Sequence, residues 1–331
     1  MTIRPPRMLQ EDEWFRKVVG ALPHDRSHLL CDDLDRGSYS ELFKESVDRW
    51  LISHLNDDRA SDSGEGLFVT SVAVAKSNGV LAGRFPVDRL IERFFNSCSV
   101  DWVVEEGQRV SSGQELLSLK GPSSSVLSCE RVLLNILGRM SGIASSTAEW
   151  ISESEGIAVA CTRKTAWGLM DKWAVHVGGG LTHRLSRSDA LMIKENDLVV
   201  LEPEEDSVSA IRSVICSIDF ELHSPFTVLE VSELEQATAA AKSWSEEQKH
   251  RGSGDRIVLL LDNMGPRACG EVDEELRSMN LRGWCILEGS GGIVRGDLPD
   301  WASMSGVDLV SSSEVNMAAR SMDISMIVGG R

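Results

Sequence analysis

No apolar run in this 331-residue chain approaches the roughly 20 residues that a membrane-spanning helix needs. The opening MTIRPPRMLQEDEWF has neither an apolar core nor a small-residue cleavage site, so no signal peptide is expected. No two cysteines stand as CxxC. The seven, Cys31, Cys98, Cys129, Cys161, Cys216, Cys269 and Cys285, are scattered, which argues against a zinc site and a secreted disulfide framework. Positive charge is scarce as well: 34 Lys and Arg face 51 Asp and Glu, a net charge of −17 with a pI near 4.9. Nucleic acid is therefore not an expected partner, because phosphate contacts need a basic face. These absences leave a reduced, soluble, cytoplasmic protein with no membrane partner. At 42% hydrophobic it can build one large domain or two ordinary ones.

Against that acidic background, one stretch collects cations. Cys161 to Leu198 carries Arg163, Lys164, His183, Arg184 and Lys194 beside glycines and short apolar runs. Mixed-sign helix faces are the usual form of solvated charge; this arrangement instead suggests a pocket for a small polyanion.

Upstream, Glu41 to Leu55 has a helical apolar period and ends in the polar NDDRASDSGEG. LFVTSVAVA, from Leu67, alternates like a strand and meets a turn at Ser77-Asn78-Gly79. Pro86 to Phe95 reads as a helix with proline in its first turn. Residues 100 to 121 are strand-like runs broken at Gly107, Gly113 and Gly121, a pattern similar to the hammerhead of biotinyl and lipoyl carriers, without their attachment lysine. Ser128 to Ala144 is the clearest helix, with Ser128 as its expected cap and Arg131, Asn135 and Gly138 along one face.

After about residue 150, apolar runs of strand length recur at 157–161, 190–193, 226–230, 257–261, 285–287 and 307–310. Helical segments are expected between several of them, at 204–215, 233–244 and 267–279. Strands alternating with helices imply a parallel sheet with right-handed crossovers, at about one unit per thirty residues. Arg163 and Lys164 follow the first run and Lys194 the second. Glu230 ends the third, Asp262 follows the fourth, Glu288 and GSGG (289–292) follow the fifth, and Ser311 and Ser312 the sixth. In a βα-barrel these positions converge on the carboxyl rim, where active sites lie. The strands number fewer than eight, so the barrel is expected to be incomplete or to have further strands.

These residues resemble the quinolinate phosphoribosyltransferase family. The matching segments are VLAG (80–83), ERVLLNILGRMSGIAS (130–145), TRKT (162–165), GGGLTHR (178–184), LMIKEN (191–196), LEV (229–231), LLLDNM (259–264), EGSGGI (288–293) and MDIS (322–325). The resemblance implies an N-terminal α/β sandwich over 1–127, to which 320–331 may return, and an incomplete α/β barrel over 128–319. It implies Mg²⁺-dependent conversion of quinolinate and phosphoribosyl pyrophosphate (PRPP) to nicotinate mononucleotide, pyrophosphate and CO₂. It also implies a homodimer or larger, in which Arg131 completes the neighbouring site. Alternatives are a relative on the same scaffold acting on another acid, such as the homologue associated with molybdate transport genes, and a retired enzyme that only binds a nucleotide.

In that frame, Arg131, Arg163, Lys164, His183, Arg184 and Lys194 are expected on quinolinate, whose two carboxylates suit guanidinium forks. Glu230 and Asp262 are expected on PRPP and Mg²⁺, and with Lys164 form the catalytic set. Phosphate is expected on Ser290, Gly291, Gly292 and Ser311 to Ser313. Gly178 to Gly180 could serve the same end or simply stop a helix. The chain departs from the family pattern at Ala166 to Met170, where the family has TPGLR and slightly more length. It also departs at Asp197, a candidate outer-shell Mg²⁺ ligand in place of histidine, and at Ser313, Asn316 and Met317.

Overall fold

A computed structural model of the protein describes residues 22–33, 37–219 and 225–329; the N-terminal segment read for a signal peptide lies outside them. Strands β1 (Cys31–Asp33) and β2 (Ser38–Tyr39) pair antiparallel, as do β4 (Gly79–Val80) and β6 (Arg109–Val110). Strands β3 (Phe68–Ala75), β5 (Ser99–Trp102), β7 (Glu115–Pro122) and β14 (Ile324–Val328) form an antiparallel sheet ordered β14-β3-β7-β5. Alternation makes β3 a strand: Ser71, Ala73 and Ala75 are buried, and the residues between them are not. Helices Glu41–Asp58 and Arg84–Phe94 accompany this part, close to their expected bounds.

A 31-residue helix, Ser123–Glu153, links the sheet to the rest. It starts five residues before the expected Ser128 cap, after Pro122, because Ser125, Val126 and Cys129 already bury one face. Ser128 lies inside the helix, where its hydroxyl accepts the Ser61 N–H at 2.9 Å. Gly138 and Gly142 let the returning C-terminal chain cross this helix. A Cβ at Gly142 would stand 2.1 Å from the Arg320 carbonyl, and Met322 N–H donates to Gly138 O at 2.8 Å.

All six expected runs become parallel strands: β8 (Ala158–Ala160), β9 (Leu191–Ile193), β10 (Thr227–Val231), β11 (Ile257–Asp262), β12 (Cys285–Ser290) and β13 (Leu309–Ser311). Their order is β8-β13-β12-β11-β10-β9, so the edge strands β8 and β9 do not pair and the barrel has a seam. Outward-facing Leu229, Leu259, Leu261, Leu287 and Val310 join the main core; inward-facing Ala158, Ala160, Val228, Val258, Leu260, Ile286 and Leu309 form a second core inside the barrel. Leu22 belongs to that inner core, which brings the segment from Leu22 to Arg26 to the seam. There Arg26 N–H donates to Thr182 Oγ1 (2.8 Å), and the Arg26 guanidinium grips Asp189.

The outer helices are Leu169–Val177, Glu195–Leu201, Ser207–Ser217, Leu234–Arg251, Gly265–Ser278, Leu298–Met304 and Glu314–Met317. The one expected to begin at residue 204 begins at Ser207, capped by Asp206, whose carboxylate accepts the N–H groups of Val208 and Ser209. Leu169–Val177 ends at Gly178, and Gly179 takes φ +94°, so this glycine run is a helix stop. Among the described residues, no helix is long and apolar enough to cross a membrane.

Candidate active site at the carboxyl end of the barrel

The two-residue period of a strand sets which side chains enter the barrel. Val228 faces inward, and so does Glu230 two residues on. The same step leads from Leu260 to Asp262, from Ile286 to Glu288 and Ser290, from Leu309 to Ser311, and from Met192 to Lys194. Register puts Glu230 and Glu288 level, each opposite Leu260, with Asp262 and Ser290 paired one layer nearer the rim. An open cleft reaches Glu230 and Asp262 and is lined by Glu195, Leu198 and Val199 of the helix Glu195–Leu201.

The cations other than Lys194 stand on loops rather than at strand ends. Arg163 and Lys164 are exposed on the turn after β8, and a buried frame holds that turn. Asn316 Nδ2 donates to Lys164 O (2.9 Å), and Ala166 N–H to Asp171 Oδ2 (2.9 Å). Asp171, 1% exposed, takes a two-pronged bond from Arg139 at 3.2 and 2.8 Å. Arg184 is buried, with its guanidinium on the carbonyl of Ala190 (3.3 Å) and the Met192 sulfur. Burial, followed by the neighbouring charges of Arg163 and Arg187, lowers its pKa. Lys172 is buried as well, donating to the carbonyls of Thr162 and Thr182, and burial lowers its pKa. Lys194, just past β9, pairs with Glu230 on the adjacent β10, so the two kinds of charge meet side by side on the rim.

Under these groups lies a wholly buried carboxylate. Glu288 accepts hydrogen bonds from His24 Nε2 (3.0 Å), His183 Nε2 (3.2 Å) and the Ser311 hydroxyl. Burial disfavours its charge, but the hydrogen bonds donated by both imidazoles outweigh that and hold its pKa far below the carboxylate range. His183 is held neutral by burial, against the pull of Glu288. Its Nδ1 accepts the Arg184 N–H at 2.7 Å, so the ring proton sits on Nε2. Two histidines and a carboxylate this close have the composition of a metal site. The tautomer speaks against one: a metal on Nε2 would move the proton to Nδ1, facing the Arg184 donor.

Several expected residues are placed differently from one another. Gly291 and Gly292 take φ +97° and +65°, and a Cβ at Gly291 would strike Asn263, so the turn exposes backbone. Ser311 and Ser312, expected on phosphate, are turned inward because Glu288 and the Ile293 carbonyl take their hydroxyls. Ser313 precedes the helix Glu314–Met317 and stays half-buried. Asp197 caps its helix by accepting the Lys194 N–H at 2.9 Å. Trp167, in the shortened loop, packs on His54 and Trp50 of the helix Glu41–Asp58. Arg131 is exposed, about 12 Å along the helix from Arg139. His24, Arg139, Asp171 and Lys172 were not anticipated. Asp171-Lys172 reads as helix-surface charge, and nothing near His24 resembles a motif.

A seamed parallel barrel whose carboxyl mouth sets arginines and lysines opposite carboxylates and a glycine turn is the architecture of a phosphoribosyltransferase. The chain belongs to the quinolinate phosphoribosyl transferase family, matching that family's N-terminal domain over residues 64–141 and its C-terminal domain over 143–327. It is 33% identical over 274 residues to the probable nicotinate-nucleotide pyrophosphorylase (carboxylating) of Methanothermobacter thermautotrophicus, covering 80% of this chain and 90% of that one. With the human nicotinate-nucleotide pyrophosphorylase (carboxylating) it shares 31% over 258 residues, covering 76% and 80%. The solved structure of NadC from Streptococcus pyogenes superposes with a TM-score of 0.71 at 29% identity, covering 87% of this chain and 98% of that one.

Proposed function

We propose that this enzyme joins quinolinate to PRPP and releases nicotinate mononucleotide, pyrophosphate and CO₂, a pentosyl transfer in NAD biosynthesis. The observation that carries the reading is the divided mouth, with Arg163, Arg184 and Lys194 on one side and Glu230 and Asp262 on adjacent strands of the other.

Arg163 and Arg184 grip the two carboxylates of quinolinate, and Lys164, Lys172 and Lys194 add positive potential. Lys194 exchanges Glu230 for the incoming anion, which leaves Glu230 free to face the ribose. Backbone N–H groups of Ser290 to Gly292 hold phosphate, with Ser313 at the edge of that loop. Glu230 and Asp262 are hard oxygen donors on neighbouring strands and fit Mg²⁺, which, with water and substrate oxygens, would neutralise the departing pyrophosphate. As that group leaves, positive charge grows on the ribose ring, and the two carboxylates stabilise it. The pyridine nitrogen attacks the anomeric carbon. Now cationic, it stabilises the carbanion left when the adjacent carboxylate departs as CO₂, and a proton from solvent completes the product.

The same reading makes the enzyme a cytoplasmic homodimer or larger. Exposed Leu67 (81%), Phe68 (72%) and Leu127 (57%) lie around the start of the helix that carries Arg131, an apolar surface suited to a second copy. Arg131 would then enter the neighbour's pocket. Mixing Arg131→Ala with Arg184→Met protomers should restore activity that neither variant has alone.

The direct test supplies quinolinate, PRPP and Mg²⁺, with nicotinate as the parallel acid, and assays for nicotinate mononucleotide. Product from quinolinate alone supports the assignment. PRPP bound without turnover of either acid would point to another acid substrate, and silence in both assays to a scaffold that only binds.

A further inference from the structure

The family match begins at residue 64, yet residues 22–26 reach the floor of the active site. They hold the four-residue stretch Thr182–Leu185 at three points. Arg26 N–H donates to Thr182 Oγ1, which in turn donates to His24 O. The Arg26 guanidinium fixes Asp189, whose Oδ2 accepts the Leu185 N–H at 2.9 Å. His24 Nε2 donates to Glu288, the carboxylate that also receives His183 Nε2. His183 itself sits at φ +51°, a backbone state a histidine seldom takes without support, and that state brings the Arg184 N–H onto its own ring.

We infer that His24 is a positioning residue for the acid-binding wall: from the barrel seam it orients Glu288, which orients His183 and thereby sets Arg184. This rests on the reading that Arg184 grips quinolinate. The burial of His24 supports it. The ring is completely buried, yet its Nδ1 has no partner among the described residues, so histidine at this place costs stability that an aliphatic side chain would not. What it supplies instead is one N–H aimed at a carboxylate. Phe226 against the ring, 5.3 Å between centroids, limits how far that donor can swing.

Two substitutions test this. His24→Leu fills the space without a donor, and His24→Gln returns an N–H near the same place. For His24→Leu, calorimetry should show the quinolinate Kd raised about tenfold, with PRPP binding and the melting temperature preserved. His24→Gln should recover most of the loss. Unchanged quinolinate binding in His24→Leu would overturn the inference, and so would equal loss of both ligands with a lowered melting temperature. If His24→Leu fails to fold, Arg26→Gln loosens the same clamp from its solvent side and should weaken quinolinate binding alone; no change there also overturns it. Arg184→Met separates the two levels. If it binds quinolinate normally, the pocket assignment has failed; if only Arg184→Met loses quinolinate, the role of His24 has.

Discussion

The two walls of the barrel mouth are built by different means. Glu230, Asp262 and the glycine turn stand on strands of five and six residues in the middle of the sheet, so backbone register alone places them. The cations flank β8 and β9, edge strands of three residues each: Lys194 directly follows β9, and the others sit on loops that a single bridge at Leu181 ties to the sheet. Buried side-chain bonds place them: Arg139 through Asp171, Asn316 on Lys164, and Glu288 beneath His183. A carboxylate wall of this kind should tolerate changes outside it, whereas the cation wall depends on the buried residues behind it.

The largest expected effect strikes that hidden frame. Asp171→Ala leaves the half-buried Arg139 with only the Asn316 carbonyl and frees the turn that carries Arg163 and Lys164. Unfolding in urea should show a loss of about 3 kcal/mol. Retained stability would mean that the turn is held by its backbone, and the contrast between the walls would shrink.

Next comes the pocket itself. Arg184→Met keeps length and burial but removes the fork, and quinolinate affinity should fall about a hundredfold while PRPP binding stands. Equal loss of both ligands would show that the walls do not divide the substrates. On the opposite wall, Glu230→Gln should lower kcat about tenfold through the ribose cation. It also frees Lys194, so quinolinate should bind no more weakly than before. Loss of quinolinate affinity in Glu230→Gln would mean that Lys194 needs Glu230 to hold its position.

The same contrast explains what was legible in the sequence. All six barrel strands and the residues at their ends could be read, because a short apolar run followed by a charge carries its own placement. The long helix was recognised at its apolar centre, but its first turn was not, since the hydroxyls of Ser124 and Ser125 gain their partners only when the segment 61–65 folds against them. Arg163, Lys164, His183 and Arg184 were visible as a family pattern. Their supports were not: Asp171 and Lys172 look like helix-surface charges, and His24 precedes every recognisable segment. Ser311 and Ser312 show the converse. Hydroxyls at a strand end suggest phosphate, and only the fold shows Glu288 and a carbonyl taking them.

Protonation gives the mildest and most general test. Burial lowers the pKa of His183 against the pull of Glu288, that of His176 against Asp25, and that of His54 against Asp57. Above pH ~6.5 the imidazoles are neutral folded or unfolded, and they add no pH dependence. As the pH falls below that, the unfolded chain takes up protons that the fold refuses, so stability drops with acidity. Glu288 acts in the same direction at lower pH, because its depressed pKa favours the folded state only while the unfolded carboxyl is ionised. The urea midpoint should therefore be level near neutrality and decline from about pH 6.5 to 5. His183→Gln should make that decline shallower, since glutamine does not titrate. A midpoint that rises on acidification would mean that His183 enters the fold as an imidazolium beside Glu288. The Arg184 N–H bond to Nδ1 could not then exist, and the cation wall would be held by charge rather than by a fixed tautomer.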